Sequence, residues 1–100
     1  MNYVTVNYSV NQSYSITEDA FVQLVHNCIS DVPYIKLANE PRIIFTKSHD
    51  NVGFVIDVKI KKDKNFHTVI NNFAKELENR FVALLDIKPE SLKICFTGLY

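Results

Sequence analysis

Glycine is nearly absent from this sequence, with Gly53 and Gly98 the only two in 100 residues. A phosphate cradle needs glycine where backbone N–H groups approach the ligand, so a nucleotide-dependent enzyme built on a glycine-rich loop is disfavoured. Cysteine is scarce too, at Cys28 and Cys95, where a small secreted domain would use a denser paired framework. Cys28 falls on an apolar helical stripe. Cys95 alternates with apolar neighbours and should face away from the core. Such opposed positions do not suit a disulfide, and both are expected as reduced thiols. Long apolar runs are missing: the longest, Phe81-Val82-Ala83-Leu84-Leu85, is far short of the roughly 20 residues of a membrane-spanning helix. Met1-Asn2-Tyr3-Val4 has neither a basic cluster nor an apolar stretch behind it, so no secretory signal is expected. An excess of one charge is missing as well. Eleven Lys+Arg meet 11 Asp+Glu, a formal net charge of +0, which argues against a dedicated nucleic-acid binder. The expectation is a cytoplasmic protein without direct membrane insertion.

What is present is a core. Hydrophobic residues make up 47% of the chain, enough for one folded domain over residues 1–100 and too many for intrinsic disorder. Val4, Val6, Tyr8 and Val10 alternate with polar residues over 3–10, the period of a strand with one apolar face. Thr17 suits a helix N-cap, with Glu18 and Asp19 at the positive end of the dipole and Ile16 placed to staple onto Phe21. Phe21, Leu24, Val25, Cys28 and Ile29 then fall on one helical stripe. This helix should stop near Ser30, ahead of Pro33. Residues 31–41 read as a loop with a short extended piece. Arg42–Lys47 and the alternating Phe54, Ile56, Val58 and Ile60 form two strands around the turn-rich segment 48–53. Phe66, Val69, Ile70, Phe73, Leu77, Phe81 and Leu84 mark a long amphipathic helix, capped by Asn65 or Asp63 and carrying a Glu76–Arg80 pair. Leu92, Ile94 and Phe96 alternate in a last strand. The predicted class is α+β, in the order β-α-β-β-α-β, with one sheet and both helices on one face. Strand order stays open. The other sheet face meets water or a partner.

No catalytic, metal or cofactor constellation emerges. Ser48-His49-Asp50 has the letters of a hydrolase triad, but neighbours in a turn diverge rather than converge. His26, His49, His67, Cys28 and Cys95 lack metal-ligand spacing. Asp57 projects from the polar sheet face, where an ion pair with a cross-strand lysine is expected. Lys59, Lys61, Lys62 and Lys64 are four lysines in six residues. Lys59 and Lys61 share a face, with Lys93 expected beside them. This set is the candidate interaction surface, and solvated lysines that deter edge aggregation are the plainer alternative. An RNA platform would want aromatics on the same open face. Phe54 and Phe96 lie in the apolar register instead, and Tyr3 alone sits on a polar one.

Three segments carry a resemblance. Tyr14-Ser15-Ile16-Thr17-Glu18-Asp19-Ala20-Phe21 leads from a strand into a helix. Val55-Ile56-Asp57-Val58-Lys59-Ile60 alternates ahead of the long helix. Val69 through Phe81 is followed by a break and by Ile87-Lys88-Pro89-Glu90-Ser91-Leu92-Lys93-Ile94-Cys95-Phe96-Thr97-Gly98, a closing strand that ends in glycine. Together they resemble the alkaline shock protein family, the envelope stress response proteins of Gram-positive bacteria. Two departures stand out: Asp31-Val32-Pro33-Tyr34 replaces a small-residue turn, and the lysine run replaces a glycine after the middle strand.

The resemblance implies a non-enzymatic cytoplasmic protein that self-associates, needs no cofactor, and reaches a membrane only through a partner. It supplies no catalytic residue to carry over. The expected function is that of an interaction or scaffold protein working through the open sheet face or a strand edge. The alternative is a small RNA- or phosphoryl-ligand-binding module using Lys59 to Lys64. A small enzyme with a pocket between helices and sheet ranks third.

Overall fold

A computed structural model describes residues 2–100, so Met1 lies outside it. The chain runs β1 (Tyr3–Ser9), β2 (Gln12–Thr17), α1 (Glu18–Asp31), β3 (Ile35–Leu37), β4 (Arg42–Phe45), β5 (Val52–Ile60), α2 (Phe66–Leu85) and β6 (Ser91–Leu99). It is an α+β fold centred on β5. Along one edge β5 pairs antiparallel with β4, from Arg42↔Val55 to Phe45↔Val52, and with β3, from Ile35↔Ile60 to Leu37↔Val58. Four residues, Ala38 to Pro41, span the two partners Ile56 and Asp57, so the outer strand bulges there. Along its other edge β5 pairs parallel with β6, from Gly53↔Ser91 to Ile60↔Leu99. The connection through α2 is what parallel pairing requires. Gly53 sits where a Cβ would run into Ser91 Oγ, so glycine permits the close approach of the two strands.

Alternation along β5 is fully realised. Val52, Phe54, Ile56, Val58 and Ile60 are completely buried, while Val55 and Asp57 are half-buried and Lys59 is exposed. Both helices cover the buried face. The Phe54 ring contacts Phe21 of α1 and Phe81 of α2, with ring centroids 6.3 and 5.7 Å away, and Phe21 stacks on Phe81 at 5.9 Å. Such pairs add to the area they bury. Phe21 lies near Phe81 and Cys28 near Phe73, so the helices run antiparallel. Every described residue buried in this core is apolar.

Helix boundaries follow local chemistry. Thr17 is the N-cap of α1 in extended conformation, although its hydroxyl makes no capping hydrogen bond, and Glu18 and Asp19 occupy the first turn. The Val32 N–H donates to Cys28 O at 3.2 Å, and Pro33 follows. Asn65 caps α2 by accepting from the Thr68 N–H at 3.1 Å. The helix closes at Asp86 in the left-handed region (φ 63°), whose N–H donates to Val82 O at 2.7 Å.

Residues 3–17 correct one expectation. Instead of joining a single sheet, β1 pairs with the further strand β2 in a separate hairpin, from Tyr3↔Thr17 to Ser9↔Gln12. The hairpin touches the rest through the Thr5 N–H donating to His49 O (3.0 Å), Tyr3 stacked on His49 (4.6 Å) and the Tyr14 hydroxyl donating to Leu84 O (3.0 Å). β4 ends at Phe45, so beyond it β1 finds a loop to lie beside and no strand to pair with. Val4 is buried, but Tyr8 is 62% and Val10 99% exposed. The molecule is long and narrow, 52 × 22 × 18 Å.

Candidate functional site

The β5–α2 turn gathers positive charge that the register makes denser than the linear sequence suggests. Lys59 closes the exposed face of β5, and Lys36 of β3 stands directly opposite it. Like charges in that position repel. Lys61 lies one residue past the strand, where its N–H donates to Tyr34 O at 3.0 Å, and the Lys62 N–H donates to Tyr100 O at 3.0 Å. Lys64 Nζ sits 4.3 Å from the centre of the Tyr34 ring, and Lys36 Nζ 4.4 Å from that of Tyr100. Cation–π contacts of this kind hold an ammonium group in place without neutralising it. Five ion pairs occur among the described residues, and none involves Lys36, Lys59, Lys61, Lys62 or Lys64.

These five lysines against Asp63 leave four positive charges at this end. The chain has 11 residues of each sign, so the other six basic and ten acidic residues leave four negative charges elsewhere. A neutral chain is thus strongly polarised.

Lys93 is not part of the group. Its register partner is Val55, four residues before Lys59 and about 13 Å along the strand. The parallel pairing of β6 puts it toward the opposite end. Sequence reasoning missed Tyr34, Lys36 and Tyr100. Only strand register brings them to the lysine run, and no local pattern announces a register.

The second feature is the outer edge of β6. This nine-residue strand pairs with β5 alone among the described residues. The Glu90 N–H donates to Val52 O, toward β5. The even-numbered residues of β5 turn their backbone groups toward β6, as the Tyr100 N–H donating to Ile60 O illustrates, and the parallel register Phe54↔Leu92 and Ile56↔Ile94 then turns Lys93 and Cys95 toward β5. The backbone groups of Leu92, Ile94 and Phe96 therefore face outward, where they lack a strand partner among the described residues. On the helix side Leu92 and Ile94 are half-buried. Phe96 is 43% exposed and stacks on the 53% exposed Phe66 at 5.1 Å, and Leu99 is 52% exposed. A bulge follows Phe96, and there the Thr97 hydroxyl donates to Val58 O at 3.0 Å.

The other candidates have structural partners. His49 Nδ1 lies 3.1 Å from Tyr3 O, whereas Asp50 accepts from the Thr46 hydroxyl at 2.7 Å, so two members of the Ser48-His49-Asp50 run serve different contacts. The Thr46 hydrogen bond, helped by Ser48, holds the Asp50 carboxyl below its usual range. Asp57 does form an ion pair, but with Arg42 at 3.3 Å rather than with a lysine, and it also accepts from Asn39 at 3.0 Å. Burial pushes the Cys28 thiol up to about 11. Cys95 is exposed, and both cysteines are free. Among the described residues no three His, Cys, Asp or Glu side chains gather as metal ligands. No described helix is long and apolar enough to cross a membrane.

No protein-family model, curated protein or solved structure matches this chain.

Proposed function

We propose that the chain is a non-catalytic interaction or scaffold protein, of the kind the alkaline shock family comprises, acting in the cytoplasm. It self-associates, or binds a protein partner, through the open edge of β6. The observation that carries this reading is that edge itself. Nine residues of strand stand unpaired on the outside, beside the exposed Phe66, Phe96 and Leu99. An added strand would satisfy the outward backbone groups of Leu92, Ile94 and Phe96 and cover the neighbouring apolar rings. Lys93 is the one charged residue of β6, so little repulsion opposes a second copy.

Light scattering after size exclusion tests it. The wild type should gain mass with concentration. Phe96→Pro removes an N–H that points away from β5, which an edge strand tolerates, so the variant should fold and stay monomeric. A wild type that is monomeric at every concentration, or a Phe96→Pro variant that associates equally well, contradicts the reading.

A second reading is favoured by one specific observation, the pairing of Lys36 against Lys59 with neither lysine in an ion pair. In it, Lys59, Lys61, Lys62 and Lys64 bind a phosphoryl group, carried by RNA or by a smaller ligand.

A further inference from the structure

We infer that the lysine-bearing end docks directly on an anionic lipid bilayer, end-on and without a segment that crosses it. This rests on the second reading above and names its phosphoryl partner. It also departs from the sequence expectation that a membrane is reached only through another protein.

Two properties coincide at this end. One is the uncompensated charge of Lys36, Lys59, Lys61, Lys62 and Lys64. Clustered lysines near an anionic leaflet each strengthen binding about fivefold. The other is apolar surface at the same place. Phe66 begins α2 two residues after Lys64, Leu99 pairs with Ile60, and Tyr100 O accepts from the Lys62 N–H. Phe66, Leu99 and Tyr34 are all exposed. Aromatic and aliphatic groups interleaved with lysines match the boundary between headgroups and acyl chains. The lysine stems can lie along the apolar surface while their ammonium groups reach phosphate.

Geometry favours a flat target over an RNA strand. A single strand needs a basic track with open rings along it. On β5, the position that continues the face of Lys59 is Asp57, a carboxylate held by Arg42 and Asn39, so a track along the sheet would meet negative charge at once. One face of Tyr34 is covered by Lys64 and one face of Tyr100 by Lys36, and Phe66 and Phe96 cover each other. The positive surface is thus confined to one end of a molecule 52 Å long. An end meets a plane more readily than it follows a polymer.

Vesicle co-sedimentation tests this with the full chain. Vesicles of phosphatidylcholine with about one third phosphatidylserine should bind the protein at low salt and release it as salt rises, whereas pure phosphatidylcholine should not bind it. The triple variant Lys61→Glu, Lys62→Glu, Lys64→Glu should bind about 100-fold more weakly. Phe66→Ser should weaken binding severalfold while leaving the salt dependence unchanged. Circular dichroism and thermal melts of both variants check that they fold. Equal binding to neutral vesicles overturns the inference, as does a triple variant that folds and binds like wild type. Binding to polyuridine or inorganic phosphate but to no vesicle overturns the lipid assignment and leaves the phosphoryl reading standing. Binding to none of these overturns both.

Discussion

Strands β1 and β5 carry the same sequence pattern, an apolar residue at every second position, yet only β5 is buried along its length. In β5 all five such residues from Val52 to Ile60 are inaccessible. In β1 burial fades from Val4 through the half-buried Val6 to Tyr8, which faces solvent as Val10 does just past the strand. The difference lies in the neighbours. β5 has strands on both edges and two helices above it. β1 has β2 on one edge, a loop contact through Thr5, and α2 reaching only as far as Leu85. Period-two patterning states which residues share a face. It does not state what, if anything, covers that face.

Substitutions along these two strands should differ in cost accordingly. The largest loss is expected for Phe54→Ala, which empties the centre of the Phe21–Phe54–Phe81 cluster. Denaturant unfolding should show about 3–5 kcal/mol of destabilisation, and a loss near that of a surface substitution would break the contrast.

Alkaline pH probes the same covered region through Cys28, packed beneath α2. The buried thiol stays protonated to about pH 11 against an ordinary value of 9.0. Above pH 9 the unfolded chain therefore binds fewer protons than the folded one, and stability falls as pH rises toward 11. The contribution is fully present below pH 9. It amounts to about 3 kcal/mol at most, read as the difference between wild type and Cys28→Val in melts across this window.

A smaller effect, about 1 kcal/mol, is expected for Tyr14→Phe, which removes the hydroxyl that ties the hairpin to Leu84 O. Hydrogen exchange in β1 and β2 should quicken while β5 stays protected. At the far end of the scale, Val10→Ser should change the unfolding midpoint by no more than about 0.5 kcal/mol of stability. A larger cost would mean that the hairpin tip is covered after all.

Elements dictated by short-range chemistry could be read directly from the residues. Both helices lie where their apolar stripes and the caps at Thr17 and Asn65 indicate, and the α+β class follows from them. β2 was hidden because Gln12–Thr17 offers only Tyr14 and Ile16 as apolar residues, too few for a visible period. β3 has three residues, between two prolines, and forms because β5 offers an edge to it. The candidate surface was half visible. The run from Lys59 to Lys64 is local, but Lys36, Tyr34 and Tyr100 join it by pairing across strands, and Lys93 leaves it for the same reason. The free edge of β6 depends on strand order, which periodicity does not encode.

The role assigned to that edge is tested most directly by residue-resolved amide hydrogen exchange as protein concentration rises. The N–H groups of Lys93 and Cys95 face β5 and should be protected at every concentration. Those of Leu92, Ile94 and Phe96 face outward and should exchange freely in dilute solution, then slow together as a second copy adds its strand. Outward amides that exchange equally fast at all concentrations would contradict association along β6.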